Sequence, residues 1–260
     1  MRTSSPSVVG AATLATLATL GAVGALAFGL AACDVGMVPP GGDPGTGDDD
    51  SSNVPSVDAA PPDYTVAVTP AASTTLGTSV DLMIDVEGSH WSGPVALAAD
   101  GAPASWTVAI DPPTVDAADG VPVHATVHVT IPTNGDGAPS GQALTIHASG
   151  DPGVRAASST VTVDNVYILA IGTPGASGQH FGALAGGQLR MKRGARLRIT
   201  NTDAIPHRIH SDAGVDGFAH QDSSMPSGQA YEVTLQSTGS DLFYCHDHGQ
   251  GTGEVRLTVQ

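Results

Sequence analysis

The stretch LFYCHDHGQGTGEVRLTV, residues 242–259, lies at the end of a 260-residue chain. It reads as a hydrophobic strand ending at Cys245, a short loop holding Gly249, Gly251 and Gly253, and a second strand. Val255, Leu257 and Val259 share one phase of that second strand. Two runs of period two joined by a Gly-containing loop predict a β-hairpin. Inside it, His248 follows Cys245 by three positions, with His246 between them. A Cys-x-x-His loop brings a thiolate and an imidazole round one point, as a metal site requires.

Upstream, RLRITNTDAIPHRIH (residues 196–210) is a strand in which Leu197 and Ile199 alternate with Arg196 and Arg198. It closes on Pro206 and His207. Six of the nine basic residues fall between Arg190 and Arg208, which makes this run the solvated face of a strand. Further strands are expected at NVYILAIG and QAYEVTLQ, and no segment has a helical period. Residues 165–260 therefore read as one small β-sandwich.

The preceding hundred residues keep the same texture. In SVDLMIDVEG, Val80, Leu82, Ile84 and Val86 take one face and Asp81, Asp85 and Glu87 the other. YTVAVTP, GPVALAAD, SWTVAIDPP, VPVHATVHVTI, QALTIHASG and SSTVTVDN repeat the alternation between Gly, Pro, Asp or Asn boundaries, giving seven strands. That spacing suits a β-sandwich over residues 63–164. The segment resembles bacterial immunoglobulin-like domains, with Trp106 as a core aromatic and without their paired cysteines. His124, His128 and His147 fall on the polar phase. A surface metal site shared by neighbouring strands is weighed there against ordinary solvated histidines, which are far commoner. No nucleophile, carboxylate pair or phosphate loop stands out, so this domain reads as a spacer or docking module.

The N-terminus is an address. Arg2 precedes an uncharged, apolar, small-residue run that ends in LAAC, Leu30 to Cys33. This is the layout of a secretory signal over residues 1–32. LAAC resembles the lipobox of bacterial lipoproteins, which implies lipidation of Cys33 and a membrane tether. An uncleaved transmembrane anchor is the alternative. Both place the remaining chain outside the cytoplasm. Residues 33–62, rich in Gly, Pro, Asp and Ser, read as a disordered tether. The chain has two cysteines, Cys33 and Cys245. With Cys33 at the lipid, Cys245 stands alone, and a lone thiol in an oxidising compartment is a liability unless something uses it.

The two C-terminal motifs together resemble the cupredoxins, the family of plastocyanin, azurin and amicyanin. The resemblance covers about the last ninety-five residues. It implies an eight-stranded Greek-key sandwich holding one copper ion through His207, Cys245 and His248. A thiolate and two imidazoles suit copper in both oxidation states. His210 matches a non-ligand position in amicyanin-like sequences and is expected at the surface or beside the site. His246 is expected to face solvent, and His180 and His220 to be ordinary loop histidines. Two departures stand out. Arg208 replaces the Asn that often ties the ligand loops together, and Gly251, Thr252 and Gly253 fill the usual axial Met positions. Gln250 is the nearest side-chain donor; a backbone carbonyl, a water or an empty axial direction are the other arrangements. Met191 and Met225 are too distant in sequence to assign.

The expected architecture is all-β, an immunoglobulin-like sandwich followed by a Greek-key cupredoxin sandwich. The expected role is single-electron transfer with a redox partner protein by a tethered, extracytoplasmic protein. Copper storage or delivery without redox turnover is the alternative. A copper enzyme is disfavoured because the first domain supplies no His-x-His pairs. The formal charge of −16 argues against nucleic acid as a partner.

Overall fold

Alternation of β-branched and small polar residues dictates the architecture seen in the computed structural model, which describes residues 60–172, 180–182, 184, 187–249 and 253–260. Cys33, the leader and nearly all of the tether lie outside the described residues, as do Gln250, Gly251 and Thr252. All described residues belong to one compact unit, and among them there is no α-helix.

Nine strands lead the chain: β1 (Asp63–Val68), β2 (Ala71–Leu76), β3 (Ser79–Ser89), β4 (Gly93–Asp100), β5 (Thr107–Asp111), β6 (Thr114–Ala117), β7 (Pro122–Thr130), β8 (Ala138–Gly150) and β9 (Gly153–Ile171). One antiparallel sheet has the order β1-β3-β7-β5. In the facing sheet β8 pairs with β4 and β9, and β2 joins β9 in parallel. Leu82, Ile84 and Val86 of β3 and Val127 and Val129 of β7 are fully buried, as are Leu144 and Ile146 of β8 and Val161 and Val163 of β9. Trp106 is buried, and its indole N–H donates to the Asp136 carbonyl at 2.8 Å.

Two strands here escape the sequence reading. β2, AASTTL, carries no large apolar alternation before Leu76, and β6 is only four residues long. The histidines of β7 resolve in favour of solvation. His124 lies 2.7 Å from Asp85, and His128 lies 2.8 Å from Asp81, each directly across β3. His147 sits on β8 in the other sheet, so the three do not share neighbouring strands.

β9 does not stop at the expected boundary between residues 164 and 165. It runs on for 19 residues, and its second half pairs in parallel with β11 (Arg196–Asn201). β11 in turn pairs with β13 (Ala230–Thr234), so one hydrogen-bonded sheet passes through both sandwiches. The opposing layer of the second sandwich contains β10 (Gln188–Met191), β15 (Val255–Val259), β14 (Gly239–Cys245) and β12 (Ile209–Ser211), in that order. That makes seven strands among the described residues, counting the end of β9, against the eight expected. Leu197, Ile199, Leu189, Met191 and Leu257 fill the core between the layers. Phe243 meets Phe181 and Phe218 edge-on, with ring centroids 5.1 and 5.2 Å apart. Arg196 turns outward, its guanidinium 2.8 Å from Glu232 across β13.

Candidate metal centre

Three local devices bring Cys245, His207 and His248 to one point. The first is Asn201, fully buried at the end of β11. Its Oδ1 accepts the Asp203 N–H at 2.8 Å, an Asx turn that folds the chain back after the strand. Its Nδ2 donates to the carbonyls of Ile205 and Met225 at 2.9 and 2.8 Å. Pro206 then bars a helical continuation from Ile205, and His207 enters an isolated antiparallel bridge with Met225. His207 exchanges backbone hydrogen bonds with Met225, N–H to O at 3.1 and 2.6 Å, and is fully buried.

The second device is the phase of β14. Alternation sends Asp241, Phe243 and Cys245 inward, and Cys245 is 1% exposed. The Asp241 carboxylate accepts from the Ser211 hydroxyl at 2.8 Å and the Asp212 N–H at 3.0 Å, which fixes β12 beside β14. The third device is the turn after Cys245. Its carbonyl accepts the N–H groups of His248 and Gly249 at 3.3 and 3.0 Å. Gly249 takes φ of 75°, in the left-handed region that glycine occupies without strain.

The result is two imidazoles aimed at one sulfur. Cys245 Sγ lies 3.1 Å from His248 Nδ1 and 3.3 Å from His207 Nδ1. On the far side, His207 Nε2 is 3.3 Å from the Asp203 carboxylate, which orients the ring. Burial, with the neighbouring His248 and His180, lowers the His207 pKa, and Asp203 offsets part of this. The ring is therefore neutral, with a lone pair for a metal, over most of the physiological range.

The site accepts a tetrahedral or trigonal ion with small adjustment. Metal–nitrogen bonds of about 2.0 Å and metal–sulfur bonds of about 2.3 Å place trigonal donors roughly 3.7 Å apart. The observed spacings need open by only a few tenths of an ångström. One soft thiolate with two imidazoles is the donor set that suits copper in both oxidation states.

Two findings go beyond the sequence reading. Arg208, in place of the expected Asn, still ties the ligand segments together. Its guanidinium lies 3.4 Å from Asp247, and its carbonyl accepts the His246 N–H at 2.7 Å. His180 is not an ordinary loop histidine. It is 3% exposed and stacks on His248 with centroids 4.5 Å apart. Its Nδ1 lies 2.9 Å from the Gly172 carbonyl, so an N–H donated there leaves Nε2 with its lone pair. Donor nitrogens of His180, His207 and His248 all lie within 4.8 Å of one another. His180 thus stands beside the imidazoles of His207 and His248, in a group that does not include Cys245. No spacing in the sequence signals it, because only tertiary folding brings His180 beside His248. Of the two methionines left unassigned, Met191 belongs to the core and Met225 is the backbone neighbour of His207.

The fold and donor set define a cupredoxin. No family model matches the chain. It is 36% identical over 91 residues to plastocyanin of Rumex obtusifolius, a match spanning 30% of this chain and 91% of that protein. It is 34% identical over 83 residues to plastocyanin of Solanum tuberosum, spanning 28% of this chain and 83% of the relative. Among solved structures, a reduced-state amicyanin mutant is 25% identical, with 36% of this chain and 82% of that one covered and a TM-score of 0.29. The chain belongs to the plastocyanin family. Proteins of this family bind a single copper ion and serve electron transfer.

Proposed function

We propose that this chain is an extracytoplasmic, membrane-tethered copper protein that carries single electrons, with His207, Cys245 and His248 as ligands. The observation that carries the reading is the convergence of two Nδ1 atoms on one buried sulfur, at 3.1 and 3.3 Å. Copper supplies the one-electron couple. The chain supplies a geometry fixed by β11, β12 and β14, so little has to move when the charge on the ion changes. Burial of His207 and Cys245 excludes water, while half-buried His248 forms the edge nearest solvent. That edge is the route for exchange with a redox partner protein.

Storage or delivery of copper is the competing role, and it requires ready release. The copper-loaded chain is expected to cycle reversibly by one electron and to retain its metal in the cuprous state against a chelator. Release of the ion on each reduction would favour delivery instead. The tether is tested separately. Cys33→Ser is expected to free the protein from membranes or block its processing. A variant that stays membrane-bound at an unchanged mass would point to a spanning anchor.

His180 carries a further expectation. An imidazole nitrogen is a harder donor than a thioether and stabilises cupric copper. His180→Ala should therefore raise the reduction potential and alter the copper spectrum, whereas Gln250→Ala should leave both unchanged. Voltammetry and optical spectra of the two variants decide between these donors. An unchanged potential in His180→Ala confines that residue to packing on His248.

A further inference from the structure

The geometry points to a second metal site: we propose that His210, His220 and His246 together bind a divalent transition cation of the Zn(II) or Cu(II) class at the protein surface. The three imidazoles come from three segments that the fold holds side by side. On β12, Ile209 and Ser211 face the core, so His210 faces outward. On β14 the same alternation turns Cys245 inward and carries Tyr244 and then His246 outward. The register of the two strands sets His210 opposite Tyr244, and the two rings stack with centroids 4.5 Å apart. His220 arrives on a loop docked to β12 by two bonds. Gln221 donates its N–H to the Ile209 carbonyl, and its side-chain oxygen accepts the Ile209 N–H, both at 3.0 Å.

Nitrogens of all three rings lie within 4.8 Å of one another. The Nδ1 atoms of His210 and His246 are 3.4 Å apart. Two metal–nitrogen bonds of about 2.0–2.1 Å at a tetrahedral angle separate their nitrogens by roughly 3.4 Å. The observed gap is the one a shared ion would set. A second observation supports it. His210 Nε2 lies 3.5 Å from the Asp212 carboxylate, the outer partner that fixes the tautomer and orientation of a ligating imidazole. A proton on Nε2 leaves Nδ1 with its lone pair turned to His246. Burial first, then His210, His246 and Arg208, hold the His220 pKa down, against the opposing effect of Asp222. Three imidazole nitrogens with a position left open suit zinc, copper or nickel, and not calcium or magnesium, which take oxygen.

The site is separate from the one at Cys245. Cys245 and His246 are consecutive, and the strand sends them to opposite sides, so both sites can be filled together. An ion on the cluster would lie close along the chain to the buried thiolate.

The test is the number of Zn(II) ions retained per full-length chain after gel filtration, measured by elemental analysis. A His210→Ala/His220→Ala variant is expected to bind one fewer ion than the parent, with affinity for that ion reduced by more than about tenfold in calorimetry. Circular dichroism unchanged from the parent excludes misfolding as the cause. With copper loaded first, Zn(II) added to the parent should bind without loss of the thiolate-to-copper absorption. Equal zinc content in parent and variant overturns the proposal, and so does zinc that enters only by displacing copper. The comparison of zinc content stands whatever metal the Cys245 site prefers.

Discussion

Cys245→Ser is expected to abolish the thiolate-to-copper absorption of the copper-loaded chain and leave both sandwiches folded. The sulfur is the soft donor of the assigned set, and it stands within 3.3 Å of both His207 Nδ1 and His248 Nδ1. Without it, cuprous copper loses its preferred ligand while cupric copper keeps two imidazoles. Any copper that still binds should do so without the intense band and at a lower potential. A serine hydroxyl at this buried position finds the same two imidazoles as hydrogen-bond partners, so folding survives. Optical spectra and circular dichroism check both halves of the expectation. His248→Ala should also remove the band, and His246→Ala should not. The reverse outcome for those two histidines would place the ligands one register away from the assignment made here.

Asn201→Ala is expected to have the largest effect among residues that touch no metal. The amide makes three hydrogen bonds, to Asp203, Ile205 and Met225, from a fully buried position. Its removal takes all three bonds from the turn that delivers His207, at a cost of about 2–3 kcal/mol in unfolding free energy. Denaturant titration of the metal-free chain measures that loss. Copper affinity should fall as well, because His207 is no longer held in place before the metal arrives. Asn201→Asp is the informative companion, since it keeps the acceptor for Asp203 but sets a buried carboxylate against the carbonyls of Ile205 and Met225. A loss in stability at least as large as that of Asn201→Ala is the expected result.

The parts of this structure legible in the sequence are those set by local pattern. Alternation placed β3, β7 and β8 with the correct residues inward, because one face of each strand is buried and a shift of one residue would expose it. The Cys245–His248 loop was legible for the same reason, both residues lying within one turn. Pro206 and His207 were marked by a change from strand to loop. Tertiary relations were not legible. Asp164 and Asn165 look like a boundary, yet β9 passes through them, because β11 takes up the pairing that β8 leaves at Val163. β12 is three residues long and exists only because β14 lies beside it. His180 and His220 follow the same rule. Each sits in a loop without pattern, and only the docking of that loop gives it neighbours: Gly172 and His248 for the first, Ile209 and His210 for the second.

The exposed histidines on β7 show the opposite case. Their spacing alone admitted a metal, and the cross-strand register answered it by placing Asp85 and Asp81 opposite His124 and His128. At the surface cluster of His210 no carboxylate stands between the imidazoles; Asp212 lies behind one of them. That difference separates a solvated ion pair from a candidate ligand set.

X-ray absorption at the copper edge of the full-length, copper-loaded chain tests the central claim most directly, because it counts the donor atoms and their elements. With copper limited to one equivalent so that it fills the tighter site, the structure predicts one sulfur in the first shell with two or three imidazole nitrogens. The sulfur should vanish in Cys245→Ser. A first shell of nitrogen and oxygen alone in the parent would contradict the assignment of Cys245, and with it the reading of this chain as a thiolate-copper electron carrier.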